Sequence, residues 1–248
     1  MDLKRIGLLS PPKWFSYCDD ELVKVGPENI RVMNAQIRMP RDFRYDLDEI
    51  TQAPDELLAA AQSLADSDTD FVAQIGTPFA MVHGWDGAND LERKIEGKIG
   101  KPFEMMGLSL PRVCREMGIG SVSVCTVFFT EDWTNAYRKF LENTGLKVLF
   151  IGSFSELDIL DQVTMLESCQ GHDICTKQTM IDTVARCCER APDAEAVLLA
   201  GLPCPQLDML DELEAQAGKP VISYPALYSR ILKRLSLSAK PGFGSMFN

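Results

Sequence analysis

The sequence predicts an α/β protein of two similar halves, each a parallel four-stranded sheet covered by helices, with one active site in the cleft between them. Three observations lead there. Short apolar runs alternate with stretches of helical spacing along the whole chain, as in parallel strands joined by helices. Two segments repeat one device, Gln74-Ile75-Gly76-Thr77-Pro78-Phe79 and Leu199-Ala200-Gly201-Leu202-Pro203-Cys204, each placing Gly-x-Pro after an apolar run. That is the strand end where open α/β sheets bind small ligands. At 248 residues the chain can form one large domain or two of about 100–150 residues.

Taken in order, Ile6 to Ser10 is a strand that ends at Pro11-Pro12, and Ile30 to Ala35 a second. Residues 53 to 66 carry apolar residues at helical spacing, and Pro54 with Asp55 suits a helix start. Phe71 to Ile75 is the third strand, 87 to 97 a helix, and Gly100-Lys101-Pro102 a loop before a short fourth strand. A helix over 108 to 117 stops at Gly118, and the β-branched and aromatic run Ser121 to Phe129 opens the second half. There follow a helix from Trp133 to Asn143, a strand from Lys147 to Gly152, a helix over 176 to 190 and a strand from Ala196 to Ala200. The last elements are a helix over 207 to 217, stopped by Gly218-Lys219-Pro220, a strand from Val221 to Tyr224 and a helix over 225 to 235. The halves are placed at 1–112 and 113–224, with the C-terminal part 225–248 returning to the first half. The turn-rich tail Lys240-Pro241-Gly242-Phe243-Gly244 is expected to pack over a domain edge.

Bulk properties narrow the function. A net charge of −11 disfavours nucleic acid or an anionic membrane as partner, while leaving local anion binding by backbone amides open. No apolar stretch approaches the roughly 20 residues of a membrane span. Eight cysteines occur without a C-x-x-C pair, and the two histidines, His83 and His172, stand apart, so no metal is expected. Met1 to Arg5 runs straight into a strand, which reads as a cytoplasmic protein with reduced thiols. The oligomeric state stays open, a homo-oligomer included.

The candidate site residues follow from the repeated corner. Glycine lets amides at Gly76 approach an anion closely, and the Thr77 hydroxyl adds a donor. Gly201 and Leu202 supply the mirrored amides. Cys204, three residues on, is the candidate proton donor; a helix starting there would lower its pKa. Lys13 and His83 are further acid–base candidates, more ordinarily solvated or structural. Trp14, Phe79 and Phe128 can shape an apolar pocket, although core packing is the usual role of aromatics. Cys125 reads as core, and Cys18 falls in a loop that could cover the cleft.

The order Gly7-Leu8-Leu9-Ser10-Pro11-Pro12, Gly76-Thr77, Val124-Cys125-Thr126-Val127-Phe128 and Val197-Leu198-Leu199-Ala200-Gly201, with the tail Ala239 to Phe247, resembles the arylmalonate decarboxylase and maleate cis–trans isomerase family of the aspartate/glutamate racemase superfamily. The resemblance spans nearly the whole chain. It implies two similar α/β domains and cofactor-free chemistry on a small mono- or dicarboxylate, through a carbanion or enediolate stabilised by backbone amides and hydroxyls. It also implies substrate contacts at Pro11, Gly76, Thr77, Phe128, Gly201 and Leu202. Family isomerases carry two opposed cysteines and family decarboxylases only the second. Here Gly76 stands at the first position and Gly201 at the second, which removes the family's proton donor; Cys204 is the candidate to replace it, with Cys18, His83 and Lys13 as other acid–base candidates. Phe128 replaces a family tyrosine, and Trp14 an isomerase asparagine. Decarboxylation is the expected reaction; isomerisation or racemisation with an unorthodox acid–base pair, and a catalytically silent carboxylate-binding protein, are the alternatives.

Overall fold

The four apolar runs of the first half become strands β1 (Lys4–Ser10), β2 (Ile30–Gln36), β3 (Phe71–Gln74) and β4 (Phe103–Met105), all parallel, in the order β2-β1-β3-β4. Those of the second become β5 (Ser121–Cys125), β6 (Lys147–Gly152), β7 (Ala196–Leu199) and β8 (Val221–Ile222), also parallel, in the equivalent order β6-β5-β7-β8. The structure is a computed structural model that describes residues 2–14, 16–127, 129–162, 175–201 and 204–248. The two-sheet α/β architecture expected from the sequence is therefore found. Helices cover both faces of its central strands: every residue of β3 and β7 is buried, and all of them but Gln74 are apolar.

The connecting helices are α1 (Cys18–Val25), α2 (Leu47–Thr51), α3 (Pro54–Asp66), α4 (Pro78–Met81), α5 (Gly84–Ile99) and α6 (Met106–Glu116) in the first half. The second half has α7 (Glu131–Glu142), α8 (Lys177–Arg190), α9 (Leu210–Ala217) and α10 (Ala226–Arg234). Helix α3 shows why they form: Pro54 opens it, Asp55 and Glu56 sit in its first turn, and Leu57, Ala61 and Leu64 turn one apolar stripe to the sheet.

Four departures from the sequence reading have physical causes. Residue Cys18 does not lie in a loop; it opens α1, whose buried residues Cys18, Leu22 and Val25 recur at helical spacing and whose first turn is acidic. Helix α5 starts at Gly84, three residues early, because the single-turn α4 feeds directly into it. Residue His83 is the capping residue before α5, not a residue within it. The helix expected over 207–217 begins as a 3-10 turn, Leu207–Met209, and becomes α-helical at Leu210.

Helix α10 packs on α6 and β4 of the first half. Its Arg230 and Arg234 reach the Glu104 carboxylate at 3.2 and 3.4 Å. The tail crosses the molecule: Lys240 N–H donates to the carbonyl of Val25 in α1, and the Gly244 and Ser245 amides donate to Asp211 and Glu214 in α9.

Candidate active site

Strands β3 and β7 hold the same place in the two sheets, and each is followed at its second residue by a glycine with positive φ, +105° at Gly76 and +74° at Gly201. Both glycines line one small cavity of about 30 Å³. The two corners that look like copies of one device in the sequence therefore face a common space. Trp14, Tyr17 and Cys18 enclose it from the segment between β1 and α1 and the start of α1, Ile75 and Met106 from the ends of β3 and β4, and Cys204 and Tyr224 from the stretches after β7 and β8. As it stands, the space is on the scale of a water molecule or one carboxylate group.

The Gly76 corner is built tightly. Its N–H points at the Met106 thioether, 3.2 Å away, a weak acceptor on an adaptable side chain. The Gln74 side-chain amide donates to the carbonyls of Ile75 and, at 3.0 Å, Gly76. A Cβ at residue 76 would lie 3.0 Å from Pro11 Cγ, with φ in the region that side chains rarely adopt. A side chain at this place is strained on two grounds, the close approach of Pro11 and the backbone. At Gly201 only the second ground applies, since the nearest atom to a Cβ there is Phe129 Cε1 at 3.5 Å. Gly76→Ala is accordingly expected to lower stability by roughly 2–3 kcal/mol and Gly201→Ala by roughly 1–2 kcal/mol. Urea midpoints read at constant slope test the order; equal midpoints would show that the Pro11 contact yields freely.

The corner after β5 is strained as well. Val127 has φ +60°, an outlier for a β-branched residue. It is held there by packing, being buried, and by the Phe154 N–H, which donates to its carbonyl at 2.7 Å. Strain of this kind collects at functional corners.

Cys204 is buried, with 2% of its surface exposed. The expectation that a helix start would lower its pKa is overturned. Helical structure begins at Leu207, beyond the thiol. The pKa is pushed far up, first by a hydrogen bond with Cys175, then by burial and by the charges of Cys175 and Glu21, with Gln206 pulling the other way. The thiol is thus protonated at neutral pH. Cys18 lines the same cavity, and burial pushes its pKa up to about 12 against hydrogen bonds with Ser16 and Tyr228.

Other sequence candidates lie elsewhere. Thr77 is buried at the start of α4, where its carbonyl accepts from Ala80 and Met81, and it is not in the cavity wall. Pro11 stands behind Gly76 rather than in the wall, and Phe79 is core. The Lys13 ammonium donates to the carbonyls of Arg41 and Phe43, at 3.3 and 3.0 Å. His83, its pKa lowered by burial, lines a separate open groove with Trp85 and Phe140. Cys125 is fully buried in the core. Phe128 and Leu202 lie outside the described residues. Among the described residues no group of three metal-binding side chains gathers, and no helix is long and apolar enough to cross a membrane.

Sequence reasoning missed Tyr17, Met106 and Tyr224 in the wall, and the buried Glu21 beneath it. Of these, Tyr224 had a readable signal, its four-residue spacing from Tyr228 across a helix start.

Comparison with known proteins agrees with this architecture. The sequence model of the family described as arylmalonate decarboxylase matches residues 44–246. No curated protein matches the sequence. Among solved structures, an arylmalonate decarboxylase is similar with a TM-score of 0.77 and 21% identity, over 98% of each chain. The maleate isomerase Iso from Pseudomonas putida S16 is similar with a TM-score of 0.83 and 18% identity, over 99% of this chain and 98% of that one. The maleate cis-trans isomerase of Nocardia farcinica gives 0.82 and 17%, with the same coverage. Identities this low speak for the fold.

Proposed function

The chain belongs to the arylmalonate decarboxylase family, and from that premise we propose that it is a cofactor-free decarboxylase acting on a small carboxylate, with Cys204 as proton donor. The observation that carries this reading is the meeting of Gly76, Gly201 and a buried, protonated Cys204 around one cavity. Relatives support the ligand class: a maleate isomerase variant from Pseudomonas putida S16 has been solved with maleate.

In this mechanism one carboxylate of a malonate-type substrate takes the backbone amides of the glycine corners, displacing Met106 sulfur from the Gly76 N–H. Its partner carboxylate leaves as CO₂, and the electron pair of the broken C–C bond flows into the retained carboxylate as an enediolate. The amides stabilise that charge where it develops. The Cys204 S–H then protonates the carbon, and the thiolate regains its proton from water. The thiol holds a proton to give, and an enediolate carbon is basic enough to take it even from a weak acid. The Trp14, Tyr17 and Ile75 side of the wall suits an apolar substituent. Since the space is only about 30 Å³, entry requires these side chains and Met106 to move aside.

A second reading rests on Cys18. It reaches the cavity from the first half while Cys204 reaches it from the second, so two thiols on different domains are available for isomerisation or racemisation. Incubation with a panel of aryl- and alkylmalonates, maleate and chiral 2-substituted carboxylates in D₂O separates the readings by proton NMR. The decarboxylase gives CO₂ and one deuterium at the α-carbon. Exchange or cis–trans conversion without CO₂ favours the two-thiol reading, and binding without turnover of any member sinks both.

A further inference from the structure

Glu21 is a carboxylate with 6% of its surface exposed, placed by α1 at the join of the two halves. Its Oε1 accepts the N–H of Gln206 at 2.8 Å and of Leu207 at 2.9 Å. Its Oε2 accepts from the Tyr228 hydroxyl at 3.0 Å. The Tyr224 hydroxyl accepts the Gln206 N–H at 3.0 Å, and its single proton is offered to two acceptors, this carboxyl and the carbonyl of Cys204 at 3.2 Å. Every one of these partners except Glu21 belongs to the stretch after β7 or to the segment after β8.

This arrangement is expensive for a plain domain contact. Burial disfavours the charged carboxyl and raises its pKa, and the hydrogen bonds from Tyr224, Leu207, Tyr228 and Gln206 oppose that. The exposed faces of the same interface are joined differently, for example by Lys24 to Asp208 at 2.6 Å. What the buried carboxylate holds is specific: the two amides it grips lie two and three residues beyond Cys204, and the tyrosine beside it grips the Cys204 carbonyl. Cys18 lies three residues before Glu21 on the same helix, so one face of α1 carries both groups. The chain around Cys204 is consequently fixed by the opposite half of the molecule.

We propose that Glu21 is the positioning residue for Cys204, clamping residues 204–207 of the second half from the first so that the thiol faces the cavity. The proposal deepens the function given above, since Cys204 matters there as the proton donor. Its test needs no substrate, so the two can fail separately.

The measurement is site-resolved alkylation by iodoacetamide under native conditions at one pH, followed by mass spectrometry, with the buried Cys125 and Cys187 as internal controls. Glu21→Ala removes the acceptor for both amides and is expected to raise the Cys204 rate at least about tenfold, the scale of losing charge-assisted hydrogen bonds, with the controls unchanged. Glu21→Gln keeps one carbonyl oxygen for the amides and is expected to restore the wild-type rate to within about threefold. If Glu21→Ala does not fold, Tyr228→Phe takes its place, with an expected rise in the Cys204 rate of about threefold. A Cys204 rate unchanged in the variant that folds, a rise shared equally by Cys125 and Cys187, or a Gln variant as reactive as the Ala one, overturns the clamp. If the clamp is found and no carboxylate is turned over, the positioning stands and the decarboxylase reading falls.

Discussion

Cys204→Ala is expected to fold like the wild type and to lose turnover, with kcat lower by about 10²–10⁴-fold and KM little changed. The size follows from the role: removing a general acid leaves binding and the amide corners in place, and only the protonation step is lost. The split between kcat and KM separates a donor from a wall residue, because a side chain that merely shapes the cavity moves KM. Loss of one buried sulfur leaves a small void, and the expected stability cost is about 1 kcal/mol, too little to unfold the chain. Cys18→Ala provides the contrast. For a decarboxylase with one donor it retains most of the rate, whereas for a two-thiol isomerase both substitutions fall equally. The raised pKa adds a second check. The Cys175 hydrogen bond and burial keep the Cys204 thiol protonated, so the rate should show no thiol ionisation up to about pH 10, where an ordinary thiol would have ionised. Full activity in Cys204→Ala would put the proton donor elsewhere in the cavity.

The fold was legible because its signal is local. Each buried strand is a short apolar run, each helix an apolar stripe, and each Gly-x-Pro marks a strand end; none of these needs a distant partner to be read. The convergence of Gly76 and Gly201 was legible for the same reason, since equivalent places in two copies of one motif face each other if the copies pack together. The Glu21 cluster was not legible. Its partners lie 185 to 207 residues away, and nothing in Cys18-Asp19-Asp20-Glu21 distinguishes the buried acid from its solvated neighbours. The direction of the Cys204 pKa was misread because the sequence suggests a helix at that corner but gives neither its start at Leu207 nor the approach of Cys175. Thr77 shows a further limit of local reading: single-turn α4 begins right after it, and the residue is buried behind the cavity rather than in its wall.

The largest stability effect is expected at Glu104, where the returning helix is held. This carboxylate is fully buried on β4 and meets Arg112 at 2.7 Å, Arg230 at 3.2 Å and Arg234 at 3.4 Å. Ser109 adds a hydroxyl donor at 3.2 Å. Deleting one member of a buried ionic cluster costs about 3–5 kcal/mol, because the remaining charges are stranded. Here the arginines are not wholly stranded. Arg112 keeps Glu92 at 2.7 Å, Arg230 keeps Glu116, and Arg234 keeps Glu96 at 2.7 Å. The side chain of Arg234 is also 26% exposed, so water screens part of its charge. Glu104→Ala is therefore expected near the lower end, a loss of about 3 kcal/mol, and Glu104→Gln less, since it still accepts from Arg112 and Ser109. Urea unfolding followed at two wavelengths reads the difference. A loss below about 1 kcal/mol would mean that the outer glutamates carry the arginines alone. A second, earlier transition in Glu104→Ala would mean that α10 detaches as a unit, and Tyr228 on that helix would then leave Glu21 with it.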